Sequence, residues 1–140
     1  MLRDYRASRL PGIIGPRRIW SFSYVDDVAA SHIEALERPH AEGEYMLGGE
    51  NAPQIRLFEA AAAATNRRLP RTIPPSVARA AGALEEMRAR ISGRAPVLTR
   101  ATVDILTRDW SMDSSRSLRE LNHHITPLED GVRATLASLE

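Results

Sequence analysis

Bulky residues alternate with small polar ones from Ile19 onward: Trp20, Phe22 and Tyr24 stand against Ser21 and Ser23, and this period of two predicts a strand. Ahead of it, residues 2–9 predict a short helix that stops before "RLPGIIGPRR", where Pro and Gly enforce a loop. After it the period changes. "DDVAASHIEALERP" places Val28, His32, Ile33 and Leu36 on one helical side, and Pro39 stops the helix. "GEYMLGGEN" predicts a short strand at 45–47 running into a glycine turn.

The rest of the chain reads as helices with marked ends. Pro53 suits a first helical turn, and "QIRLFEAAAAAT" continues as a helix with Ile55, Phe58 and Ala62 inward, closed by a left-handed Asn66. Pro74 and Pro75 open a helix over 76–92 that Gly93 ends, and Thr99 N-caps "RATVDILTR". Asp113 is expected to cap "SSRSLREL", and Asn122 to end it. "TPLE", Thr126 to Glu129, has the form of a capping box with Pro at the first helical position, opening a last helix through Leu139. No internal repeat is visible. The fold class is α/β with helix dominant, and 140 residues predict a single domain over 1–140.

Composition narrows the chemistry. Hydrophobic residues are 43% and aromatic ones 5%, so the core is aliphatic. A formal charge of +1 excludes nucleic acid as a partner suggested by net charge, and arginines interspersed with glutamates, as in "LEEMRARISGR", read as a solvated helix face. All nineteen basic residues are Arg, and there is neither Lys nor Cys. The start "MLRDYRASRLPG" has charges where a signal peptide needs an apolar core, and no run of eighteen apolar residues follows, so the expectation is a cytoplasmic protein with no membrane partner.

Each candidate constellation has a plain alternative. Asp26 and Asp27, before His32 in "SYVDDVAASH", suggest a metal site or an acid/base pair, but His32 lies five and six residues from them, off the three- or four-residue spacing of helical ligands. A carboxylate capping a helix start is the expected role, worth about 1 kcal/mol. His32 is expected to be a partly buried helix histidine, and the adjacent His123 and His124 a solvated turn. "GxSxG" is absent. "LGGEN" follows a strand and precedes a helix but lacks the spacing of a dinucleotide-binding loop, and "PGIIG" has no preceding strand.

The order of these pieces is a signal in itself. "FSYVDDVA", "YMLGGEN", an Ala/Leu helix, "IPP", "LT", "DSSRSLREL" and "PLEDG" together resemble the C-terminal part of an extended short-chain dehydrogenase/reductase, within it the NAD-dependent epimerase/dehydratase proteins of the dihydroflavonol-reductase type. The resemblance covers nearly all 140 residues and implies the substrate lobe of a Rossmann-type reductase, lacking the dinucleotide-binding half. It makes Asp27 a fold marker and places Trp20 and Ser21, with Gly12 and Ile13 of the preceding loop, at the substrate; for Trp20 a simple core aromatic is the equal alternative. In the family, a Tyr-x-x-x-Lys pair and an N-terminal glycine-rich turn carry catalysis and NAD(P). Neither is present, and the nearest echo, Tyr5 with Arg9, has a permanently charged partner.

The resemblance therefore implies no catalytic residue and no cofactor held by this chain alone, with NAD(P) and a tyrosine acid brought by a Rossmann-bearing half. Nucleotide-sugar epimerases of the same topology carry Arg at the position of Trp20 and an Arg-Pro-Gly-Asp segment before the stretch matching "DSSR". Their absence points to a weakly charged or uncharged carbonyl or alcohol substrate, flavonoid-like or steroid-like. Ile33, Leu36, Met46 and Leu47 are expected to lack a partner within the chain, which predicts self-association or a partner half. The alternatives of another class are a stand-alone dimerising module and a gene fragment without function.

Overall fold

Ile13 and Ile14 set the layout. An extended backbone sends successive side chains to opposite sides, and these two neighbours enter two different apolar clusters. The segment is held extended by a parallel bridge to Thr72, with Ile13 N–H donating to Arg71 O at 2.8 Å and Ile73 N–H donating to Ile13 O at 2.8 Å.

The computed structural model describes residues 1–39 and 41–139. In chain order it has α1 (Leu2–Arg6), β1 (Ile19–Phe22), α2 (Val25–Glu37), β2 (Glu50–Pro53), α3 (Gln54–Thr65), α4 (Pro75–Ser92), α5 (Arg100–Leu106), α6 (Ser115–Glu120) and α7 (Leu128–Ala137). The larger cluster lies where α3 packs on α7, with Leu57, Phe58 and Ala61 facing Leu128, Val132 and Leu136. Tyr5 closes it from α1, edge-on to Phe58 at 5.8 Å. The smaller cluster joins Ile14 to Ala78 of α4 and Val103 of α5. Gly82 lets α4 approach this close: a Cβ there would sit 2.9 Å from the Thr99 carbonyl carbon.

β1 and β2 pair antiparallel, Trp20 opposite Ala52 and Ser21 opposite Asn51. The second strand thus lies at 50–53, not at the expected 45–47. Residues 50–53 are the ones opposite β1, whereas the carbonyls of Met46, Leu47 and Gly48 are taken by side chains, so 45–47 builds no ladder.

Other expectations shift by a residue or a turn. α1 stops at Arg6, and Ser8 turns left-handed at φ 56°. Pro53 and Pro127 are N-caps of their helices, not first-turn residues. The buried face of α3 is Gln54, Leu57, Phe58 and Ala61, with Ile55 and Ala62 at its margin. Asn66, Gly93 and Asn122 are left-handed, and the Thr99 hydroxyl accepts from Thr102 N–H at 3.0 Å, as expected. Asp113 lies one residue outside the cap position, held by Ser114, yet accepts from Ser115 N–H at 3.0 Å.

The paired aspartates do not cap α2, whose N-cap is Tyr24. Asp27 is buried in the first turn and its carboxylate reaches across the chain, accepting from Thr126 N–H at 2.7 Å and Thr126 Oγ1–H at 2.9 Å. Thr126 gives its hydroxyl proton to Asp27, and with Pro127 at the N-cap no capping box forms. Glu50 takes the cap's place, accepting from Leu128 N–H at 2.9 Å, while Glu129 pairs with Arg56.

Replacing Asp27 with Ala leaves two donors of Thr126 without their acceptor, and the expected cost is about 2 kcal/mol in urea unfolding. Asp26→Ala, at an exposed first-turn position, costs less than about 1 kcal/mol. Equal losses for the two variants would show that the cross-chain bonds are not what distinguishes them.

Candidate functional site

The four residues named by the resemblance divide between the loop before β1, which holds Gly12 and Ile13, and the two faces of β1, which hold Trp20 and Ser21. Gly12 is required by close approach: a Cβ would lie 2.6 Å from Arg71 O and 2.7 Å from Ile73 Cγ1. Ile13 is buried in the core, with its N–H and its C=O both taken by the 71–73 segment. Trp20 and Ser21 alternate to opposite faces of β1. Trp20 is partly exposed and its Nε1–H donates to Arg108 O at 3.2 Å. The structure thus brings Trp20 beside the end of α5, places Ser21 on the far face, and turns the Ile13 side chain away from both.

Ser21 borders a cleft of about 270 Å³ lined also by Phe22, Ser23, Thr126, Leu128 and Thr135. Its hydroxyl protons are committed to the protein. Ser21 donates to Gly49 O at 3.4 Å, Ser23 to Leu47 O at 2.9 Å, Thr126 to Asp27 and Thr135 to Gly131 O at 2.7 Å. Only lone pairs are left to meet a ligand. Tyr24 supplies the phenol here, and the hydrogen bond to Asp26, then burial, raises its pKa above the ordinary tyrosine value. That is the wrong direction for a tyrosine that must approach phenolate, and no lysine exists to reverse it.

The histidines correct two expectations. His32 is exposed, not partly buried, with Nδ1 2.7 Å from Val28 O. His124 is exposed, but His123 is buried and is no solvated turn: Nε2 lies 2.9 Å from Gly48 O and Nδ1 lies 2.7 Å from Ser31 Oγ. A carbonyl only accepts, so Nε2 carries a proton and donates to it. Ser114 makes a second clamp on the same residue, accepting from Gly48 N–H at 2.9 Å and donating to Gly48 O at 3.1 Å. Sequence reasoning missed this latch because its members lie 75 and 92 residues apart along the chain. The available signal was the pair of adjacent glycines, whose small size leaves room for the clamps.

The same glycines bear on cofactor binding. A Cβ on Gly49 would fall 1.8 Å from Phe22 O, and one on Gly48 would fall 2.7 Å from Met112 Cβ. Their space is filled by the protein itself, so "LGGEN" is no cradle for a pyrophosphate. Among the described residues no group of three or more His, Asp or Glu is placed to hold a metal ion. No helix among them is long and apolar enough to cross a membrane.

The second tryptophan was not singled out in the sequence. Trp110 forms a parallel bridge with Trp20 on the edge of β1 away from β2, with Ser21 N–H donating to Trp110 O at 3.0 Å and Trp110 N–H to Ile19 O at 2.7 Å. Asp109 fixes the register by accepting from Ile19 N–H at 2.8 Å.

No protein-family model matches the chain, and no curated protein sequence does. The fold recurs in solved structures. The crystal structure of gox2253 is 28% identical, with a TM-score of 0.72 over 98% of this chain and 41% of that one. UDP-glucuronic acid 4-epimerase from Bacillus cereus in complex with NAD is 17% identical, with a TM-score of 0.60 over 95% of this chain and 35% of that one. The same enzyme in complex with UDP-glucuronic acid and NAD gives 17% and 0.61 over 99% and 38%. This chain spans about two fifths of the length of these neighbours. Its helix-dominated α/β fold is that of one part of a Rossmann-type epimerase or reductase chain.

The latch predicts a local effect. In His123→Leu, Gly48 O loses a donor at a cost of about 1–3 kcal/mol, and amide hydrogen exchange at Tyr45–Gly49 accelerates more than in α3 and α7. Uniform acceleration would mean that His123 serves the core rather than this segment. Glu120 adds a pH dependence: the hydrogen bond from Tyr45, then that from Arg116, lowers its pKa below 4.5. A depressed carboxyl contributes fully above its ordinary value and loses that contribution as pH falls through the lowered one. Glu120→Gln should therefore flatten the acid limb of the stability curve below pH 4.5, read by thermal unfolding at stepped pH.

Proposed function

We propose that this chain is the substrate-side lobe of an NAD(P)-dependent oxidoreductase or epimerase of the short-chain dehydrogenase/reductase superfamily, and that it works with a Rossmann-bearing half, on the same polypeptide or another. The observation that carries the reading is the match of the whole fold to two fifths of chains that include an epimerase holding NAD. The missing lysine and the filled glycine turn support the division of labour: this lobe shapes and orients the substrate, and the other half holds the dinucleotide and the proton donor.

Surface area supports a missing partner. A compact monomer of 15.5 kDa exposes about 7,200 Å², whereas this chain exposes 9444 Å². The excess, about 2,200 Å², is the scale of a stable interface. Part of it lies where the sequence predicted, with Ile33 57%, Leu36 87% and Met46 57% exposed, while Leu47 is partly covered. The substrate we infer is a ketone or alcohol of low charge, placed by Trp20 and Ser21 with the Gly12–Ile13 loop as their support.

Two measurements test this. Calorimetric titration of the isolated chain with NADPH and NADH should show no binding, and it should reduce no ketone; tight binding of either nucleotide would overturn the reading. Immunoprecipitation from source cells should recover, joined to the chain or beside it, a sequence bearing a glycine-rich turn and Tyr-x-x-x-Lys. Recovery of the chain solely as a cooperative homodimer would instead favour the dimerising module.

A further inference from the structure

We propose that Trp110, together with Trp20, forms an aromatic shelf that takes a flat, uncharged ring system, and that Trp110 is a specificity-determining residue of the substrate lobe. The proposal rests on the functional reading above and narrows its substrate class from low-charge carbonyls in general to planar aromatic ones.

The bridge between the two tryptophans puts them side by side on strands about 4.8 Å apart, with both side chains on one face. Each indole has its one donor satisfied internally. Trp20 Nε1–H donates to Arg108 O at 3.2 Å and Trp110 Nε1–H donates to Ile105 O at 2.9 Å, both toward the end of α5. These bonds fix the two ring orientations and remove any polar demand from the indoles, so what remains for a ligand is their π-surface. That surface is open, with Trp110 48% exposed and Trp20 partly so.

Among the described residues neither indole lies against another ring or under a guanidinium: the ring pair in contact is Tyr5–Phe58, and the arginine lying over a ring is Arg116 over Tyr45. Arg18 and Asp109, next to the two tryptophans in sequence, are paired with each other at 3.5 Å. An indole face half open to water leaves apolar surface uncovered, and a second indole fixed beside it makes a platform wider than one ring. The cleft on the other face of β1 is a mixed surface, its hydroxyls committed and its walls shared among Leu2, Leu57, Val132, Phe22 and Tyr24. A saturated, puckered ligand meets only part of a flat platform; a planar one meets all of it.

The chain's two tryptophans give two indole N–H signals in a nitrogen-proton correlation spectrum, one for each half of the shelf. Titration of the full chain with acetonaphthone should move both signals saturably through the ring current of the stacked naphthalene. Decalone, a saturated ketone of similar size, should leave them nearly still. Trp110→Phe, which keeps a ring, should retain binding, and Trp110→Ala should weaken it roughly five- to tenfold at the remaining Trp20 signal. The proposal is overturned if neither signal moves in the wild-type chain, if decalone moves them equally, or if Trp110→Ala leaves the Trp20 response unchanged. The wild-type titration decides even if the alanine variant does not fold. No cofactor enters this experiment, so a silent titration would remove the shelf and leave the oxidoreductase reading standing, whereas NADPH binding by the chain alone would remove that reading without moving either signal.

Discussion

Two carboxylates hold the end of α7, and most of the fold depends on where α7 goes. Asp27 from α2 takes the two donors of Thr126, and Glu50 from β2 takes the N–H of Leu128, the first residue of α7. Negative charge at a helix N-terminus is favourable in itself. Here it also ties three elements distant in sequence to one point, because a buried donor without its acceptor costs more than the bond contributes. Once that end is fixed, Leu128, Val132 and Leu136 can only face α3, and the larger cluster forms behind them. Asp27 is therefore a structural clamp, and a metal or acid/base role for it is displaced by bonds already made.

Much of this was legible along the chain, and what was not follows a pattern. Helix ends signalled by backbone conformation held: Asn66, Gly93 and Asn122 are left-handed, and Thr99 caps its own helix through a residue three positions away. Those signals are local, carried by the residue that does the work. Thr126 failed as a cap because Pro127 takes the N-cap position, and its hydroxyl donates instead to Asp27, ninety-nine residues earlier. The strand expected at 45–47 failed because its carbonyls are taken by Ser117, Ser23, Ser114 and His123. Helical periodicity in α2 named Ile33 and Leu36 as one face correctly, but periodicity cannot say whether a face has anything to rest against. Ile33 and Leu36 are 57% and 87% exposed, and among the described residues their face is left open.

The site shows the same division. Resemblance pointed to Gly12, Ile13, Trp20 and Ser21, and the structure gives them different physical roles: Gly12 permits a close approach, Ile13 enters the larger cluster, and Trp20 presents a ring. Trp110 could not be paired with Trp20 from sequence, since the bridge that joins them spans ninety residues and rests on Asp109 holding Ile19 in register.

The polar commitments fit the proposed division of labour between this lobe and another half. Every hydroxyl around the β1 cleft gives its proton to a protein oxygen, the three tyrosines are hydrogen-bonded to Arg68 O, Asp26 and Glu120, and His123 has both nitrogens engaged. Groups held this firmly fix a shape but are slow to trade protons, and a reacting centre needs at least one group free to do so. A scaffold with rigid polar ties and open apolar faces orients a ligand by fit and leaves proton and hydride chemistry to a surface that closes over it. The excess of about 2,200 Å² of exposed surface is then the counterpart of that rigidity. On the proposed reading, the open faces of α2 and of the two indoles are the surfaces on which another half and a substrate would rest.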